Sequence, residues 1–275
     1  MNIGVFDSGL GGLIILKALV KALPKYDYIY LGDTQRVPYG NRSPEAIYKF
    51  LEEAVDYLFK QNCGLIIVAC NTASAEALRK IQQEYLPCHY PKRRVLGIII
   101  PTIEEALKDK NIKRIGILAT QGAVNSGAYI REIKKANPNI KVYQQAAPLL
   151  VPLIENDGIK WSKPIIEEYL RPLLQKKVDA IILGCTHYPI LKRKIRKASG
   201  VKVISQDEII SHKLESYLKR HFEIDEQLSK KGTTKLLITD LTKSISAESR
   251  KWFGKEAVPI KVVLKEFFPK GNLPI

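Results

Sequence analysis

The chain is short of several things that would decide its class at once. It has no run of apolar residues near the ~20 needed to cross a bilayer, and its start, MNIGVFDSG, has no basic stretch leading into a long apolar one. Membrane insertion and export are therefore not expected, and a cytoplasmic location is. Only four cysteines occur, Cys63, Cys70, Cys88 and Cys185, and no two of them form a CxxC pair. That is too sparse for a disulfide framework, so all four are expected as free thiols. The glycines of DSGLGG (Gly9, Gly11, Gly12) fit neither GxGxxG nor GxxxxGK[ST], which leaves little for a nucleotide-binding reading. A tight turn presenting Asp7 and Ser8 accounts for them.

Positive charge is abundant. Lys and Arg exceed Asp and Glu by 16, enough to attract anionic ligands. The charge is dispersed, however. Its short clusters, Lys92-Arg93-Arg94, Lys192-Arg193-Lys194 and Lys230-Lys231, lack the interleaved aromatics that stack nucleic-acid bases. Solubility, or life in a hot or salty habitat, explains it better than a nucleic-acid partner does.

Apolar segments too short for helices alternate with helical patterns along most of the 275 residues. Strands are expected over 3–6, 28–31, 65–69, 95–100, 115–119, 141–145, 180–183 and 201–204, rich in Ile, Val and Leu. Among the helices, Ser43 is placed to cap, Pro44 occupies the first helical position, and Ile47, Phe50, Leu51, Ala54 and Leu58 follow with helical spacing. Continuous apolar strands separated by helices predict parallel sheets covered on both faces, an α/β fold.

Two pairs of segments look alike. IGVFDSG at 3–9 resembles IGILATQG at 115–122, and GLIIVACNT at 64–72 resembles DAIILGCTH at 179–187, at offsets of 112 and 115 residues. Signatures returning in the same order at nearly one offset predict a duplicated unit and two similar lobes. All four place polar residues just past a strand's C-terminal end, where ligands bind in such sheets. If the lobes face each other, Cys70 and Cys185 become opposite walls of one cleft.

A cysteine after a buried strand is ordinarily a small core residue, and Cys63 and Cys88 are read that way. Cys70 and Cys185 differ because polar residues at an expected helix N-terminus follow each of them. Such a setting lowers a thiol's pKa toward neutrality and suits proton transfer. Zinc is the rival use for Cys70, Cys185, His187 and Asp7 together. Their spacing matches no structural zinc pattern, and Asn71, Thr72 and Thr186 beside them look like substrate hydrogen-bonding groups, so no metal is expected. His187, two residues beyond Cys185, is placed to assist that thiol. His89, His212 and His221 read as surface residues.

FDSGLGG (6–12), GDTQRVPYG (32–40), ACNTAS (69–74) and GCTHYP (184–189) together resemble the bacterial glutamate racemases of the cofactor-independent aspartate/glutamate racemase superfamily. The resemblance runs from residue 1 to about 190 and, more weakly, to LLITDL at 236–241. Ser74 and His187 stand where aspartate racemases tend to carry histidine and glutamate. The resemblance implies the following expectations. Cys70 and Cys185 act as the acid/base pair on D- and L-glutamate respectively, without cofactor. Asp7 assists Cys70 and contacts the ammonium, and His187 assists Cys185. Ser8, Tyr39, Gly40, Asn71, Thr72 and Thr186 hold the substrate. Glu155 falls near a glutamate that the family places in the site, and Thr120, the repeat-mate of Ser8, adds a hydroxyl. The C-terminal stretch returns to complete the first lobe, giving lobes of 1–95 plus 207–275 and of 96–206. A homodimer, and D-glutamate supply for peptidoglycan, are likewise implied. Gln35 and the segment ISQDE (204–208) depart from the family pattern, which has alanine and an Asp-Ser-containing strand end there. Two alternatives stay open: a relative acting on aspartate or another amino acid, and a regulatory protein engaging nucleic acid.

Overall fold

The structure, a computed structural model, describes residues 1–264. Among the described residues ten strands form two sheets. Those of the first are β1 (Asn2–Asp7), β2 (Tyr28–Gly32), β3 (Cys63–Val68), β4 (Arg94–Gly97), β9 (Thr234–Ile238) and β10 (Pro259–Lys261). Those of the second are β5 (Arg114–Ala119), β6 (Lys141–Ala146), β7 (Ala180–Gly184) and β8 (Lys202–Ile204). The spatial orders are β10-β9-β2-β1-β3-β4 and β6-β5-β7-β8, and every pairing is parallel.

The sequence repeat is visible in this topology. β1 corresponds to β5 and β3 to β7, and the run β2-β1-β3-β4 has the same order and direction as β6-β5-β7-β8. In both sheets the two signature strands are adjacent, so the loops that follow them emerge side by side at the carboxyl edge. β2, β3 and β7 are buried along their whole length, as apolar strands covered on both faces must be, whereas the edge strand β6 is half-exposed.

Helices follow the local chemistry. In α2 (Pro44–Lys60) the Ser43 hydroxyl accepts from the Ala46 N–H at 3.3 Å with Pro44 in the first turn, and Ile47, Leu51, Ala54 and Leu58 are buried. α1 (Gly12–Ala22) buries Leu13, Leu16 and Leu19 in a core that also contains Leu118, Leu183 and Leu214, so one body of apolar side chains serves both sheets. The helix Ile210–Arg220 lies against α1 as the chain returns to add β9 and β10 to the first sheet.

One strand is shorter than expected. The apolar stretch 95–100 splits into β4, ending at Gly97, and a helix Ile99–Leu107 with Pro101 in its first turn. Ile99, Ile103 and Ala106 supply a helical apolar face there, and a run of six apolar residues cannot reveal the change of period. Cys88 also departs from expectation: it is exposed, while Cys63 is buried. Among the described residues no helix is long and apolar enough to cross a membrane. Of the expected first lobe, 265–275 lie outside the described residues.

Candidate active site

Four strand ends converge. Asp7 closes β1, Cys70 follows β3, Thr120 follows β5, and Cys185 follows β7. Ser8, Cys70, Thr72, Thr120, Cys185 and His187 line one cavity of about 320 Å³, and Tyr39, Gly40, Asn71, Glu155 and Thr186 are also in its wall, beside apolar residues such as Val37, Ala147 and Val151. That volume lies at the small end of the range for ligand sites. Both thiols of the repeat thus face a single space. A larger cavity, about 590 Å³, lies around Ser74, Ile99, Arg131 and Tyr217 and contains neither thiol.

Cys70 caps the helix α3 (Asn71–Glu76): its Sγ accepts from the Ala73 N–H at 3.5 Å and lies 3.3 Å from the Ser8 hydroxyl. A helix N-terminus was expected to lower this thiol's pKa. It does not. Burial, and then the nearby Asp7 carboxylate, push Cys70 up to about 12, outweighing the hydrogen bonds from Ser8 and Ala73. Cys70 is therefore a protonated thiol at neutral pH.

Asp7 is fully buried and accepts from the Gly9 N–H at 3.1 Å and from the Thr186 hydroxyl at 3.2 Å. Burial raises its pKa, against the lowering influence of His187 and the backbone N–H groups. On the opposite wall, Cys185 Sγ sits 3.8 Å from His187 Nδ1, and His187 Nε2 is 2.9 Å from Glu155 Oε1. Burial alone would discharge this histidine, but its hydrogen bonds to Cys185 and Glu155 prevail and raise its pKa to about 10. It is an imidazolium at neutral pH. Trp252 meets its ring edge-on, with centroids 5.3 Å apart.

The remaining wall is neutral. Thr72 and Thr120 share a hydrogen bond of 2.9 Å across the cleft, and no Lys or Arg side chain is among the lining residues. Beside the His187 imidazolium, hydroxyls and amides are what this cavity offers an anion, whatever the net charge of the surface. Among the described residues no three His, Cys, Asp or Glu side chains are grouped as a metal ion would require.

Residues 3–210 match the model of the Asp/Glu/Hydantoin racemase family. The chain belongs to this family. A glutamate racemase of Aquifex aeolicus is 40% identical over 262 residues, covering 94% of this chain and 96% of its own. The crystal structure of a Francisella tularensis glutamate racemase in complex with D-glutamate superposes with a TM-score of 0.86 at 36% identity, covering 97% of this chain and 98% of that one. That of a Bacillus anthracis glutamate racemase gives 0.87 at 31%, over 96% and 97%.

Within this racemase architecture, several site residues are held by partners that sequence reasoning missed. Tyr39 lines the cavity, but its hydroxyl is committed to the buried Asp33 at 2.5 Å, which also accepts from Arg36 at 2.6 Å and from Thr239 of the returning C-terminal segment at 2.9 Å. Asp33 stands inside the quoted motif GDTQRVPYG, so its position was the available signal. The glycines of DSGLGG do more than turn the chain. A Cβ on Gly11 would fall 2.4 Å from Thr186 Oγ1 and 2.5 Å from His187 Nδ1, and one on Gly12 would fall 2.4 Å from the Asp7 Cβ. Gly11 clears the space into which the loop after β7 enters, and Gly12 lets α1 start close against β1. Ser74, by contrast, donates to the Val68 carbonyl at 3.0 Å and does not line this cavity.

Proposed function

We propose that the chain is a glutamate racemase that inverts the α-carbon with Cys70 and Cys185 as opposed acid and base. The observation carrying this reading is that two thiols at equivalent positions of a sequence repeat line one cavity, each with its own ionisable neighbour, Asp7 and His187.

Their environments suggest different starting roles. Cys70, protonated by virtue of its burial, is ready to donate. Cys185 lies beside an imidazolium that compensates the negative charge it carries when acting as base. With L-glutamate bound, the Cys185 thiolate takes the α-proton, the electron pair is left on Cα in conjugation with the carboxylate, and the Cys70 S–H supplies a proton to the other face. The product is D-glutamate, and the thiols have exchanged protonation states, ready for the reverse passage. The α-proton is a very weak acid, so hydrogen bonds from Ser8, Thr72 and Thr186 to the α-carboxylate, in a site that excludes water, must stabilise the carbanionic charge, while Asn71 holds substrate and transition state alike. This scheme uses no cofactor.

Glutamate enters the proposal from the named relatives. Supply of D-glutamate for peptidoglycan by a cytoplasmic homodimer is proposed alongside it, on the motif resemblance alone. We further propose lobes of 1–95 plus 207–275 and of 96–206, the first limit falling within β4.

The test is incubation of purified protein with L-glutamate in D2O, following optical rotation and α-deuterium. D-glutamate carrying deuterium is expected, with racemisation reduced about 10²- to 10⁴-fold in both Cys70→Ser and Cys185→Ser, the range for loss of one general acid or base. Folded wild-type protein that leaves glutamate unchanged while racemising aspartate, or nothing, would refute the assignment.

A further inference from the structure

Beneath the Cys70 wall, three buried polar side chains join the sheets. Asn71 follows Cys70 on the first sheet's side. Tyr129, in the helix Ala128–Ala136, and Gln206, just past β8, come from the second sheet's side. All are at most 2% exposed. Asn71 Nδ2 donates to Gln206 Oε1 at 2.8 Å, and Gln206 Nε2 donates back to Asn71 Oδ1 at 2.7 Å. The Tyr129 hydroxyl donates to the same Asn71 Oδ1 at 2.6 Å and accepts from Gln206 Nε2 at 3.1 Å.

The donor and acceptor count is restrictive. Gln206 Nε2 and the Tyr129 hydroxyl both aim a donor at Asn71 Oδ1, which fills that oxygen's lone pairs. Asn71 keeps one amide N–H, and it is a residue of the cavity wall. Rotating the Asn71 amide alone would set its NH2 against two donors, so Gln206 and Tyr129 fix which group it turns to the cavity. They also fix the depth of the residue after Cys70, because the pair spans the cleft.

We propose that Gln206, with Tyr129, is a positioning residue that clamps Asn71 across the cleft and holds its free N–H toward a carboxylate of the substrate. The inference rests on the glutamate racemase reading above. Because the clamp acts on bound substrate and transition state alike, its loss raises KM and spares kcat.

The experiment compares steady-state racemisation of glutamate, in both directions, by wild type, Gln206→Met, Tyr129→Phe, Asn71→Ala and the Asn71→Ala/Gln206→Met double variant. Gln206→Met keeps the volume without the amide, and Tyr129→Phe removes only a hydroxyl, so one of the two clamp variants remains measurable if the other is poorly folded. KM is expected to rise about tenfold in each clamp variant, with kcat within about a factor of two of wild type. Gln206→Met should add nothing once Asn71 is alanine, since it acts through Asn71. Unchanged KM in folded clamp variants, or a Gln206→Met loss that adds in full to Asn71→Ala, overturns the proposal while leaving wild-type racemisation intact. A wild-type protein that does not racemise glutamate removes the parent reading, and this one with it.

Discussion

Replacing Glu155 by glutamine keeps a hydrogen-bond acceptor near His187 Nε2 and removes only the negative charge. The pKa of His187 rises from 6.5 to about 10, a preference for the imidazolium of roughly 5 kcal/mol. Cys185 and Glu155 share it. Glu155 is the more weakly coupled, since its side chain is 37% exposed and solvent screens it. We assign it about 1.5 kcal/mol, which lowers the His187 pKa by about one unit. At pH 8 both proteins keep the charge and kcat/KM changes little from this cause. At pH 9.5 the protonated fraction falls about threefold further in Glu155→Gln than in wild type, moving the alkaline limb of the kcat/KM profile down by about one pH unit. The enantiomers have equal free energy, so kcat/KM must fall equally in both directions; only kcat and KM separately can differ. The assay is the pH profile of racemisation by circular dichroism, paired with an NMR titration of the imidazoles. The chain has four histidines, and His187→Asn assigns the resonance. The sign also holds for stability. With the folded pKa above the unfolded one, the pair's contribution is complete below about pH 6.5 and lost as pH rises through about 10, so Glu155→Gln should lose it earlier. Superposable alkaline limbs and an unmoved His187 titration would refute this account of the histidine's charge.

Two other perturbations follow from the geometry. Gly11→Ala puts a methyl group 2.4 Å from Thr186 Oγ1 and 2.5 Å from His187 Nδ1, so it should displace the histidine and cost about 10²-fold in kcat/KM while circular dichroism still reports the fold; wild-type activity would show that the loop yields without cost. Tyr39→Phe withdraws one donor from the buried Asp33 and should destabilise the protein by about 1–3 kcal/mol in urea unfolding, a prediction that fails if the midpoint is unchanged.

Much of the site was legible because its residues stand next to strands. Asp7 ends β1, and Ser8, Cys70, Thr120, Cys185 and His187 lie directly after β1, β3, β5 and β7, loops that the repeat by itself places at one edge. What was not legible travels through longer separations. Asn71 meets Gln206 across 135 residues and Asp33 meets Thr239 across 206, and neither pairing leaves a local pattern.

The sequence by itself determined the alternation of strands and helices, the parallel pairing that apolar strands require, the internal duplication and the two thiols that it brings into register. These are properties of neighbours along the chain, set by periodicity and spacing. Only the tertiary structure decided the electrostatics. The same cysteine that a helix N-terminus alone would activate is held as a thiol near pKa 12, because desolvation and a carboxylate from a distant strand outweigh the local amides. The same histidine that burial alone would discharge is an imidazolium, because Glu155 and Cys185 reach it from elsewhere in the fold. Charge states depend on what is brought close in space and on how much water is removed, and neither quantity is written in the order of the residues.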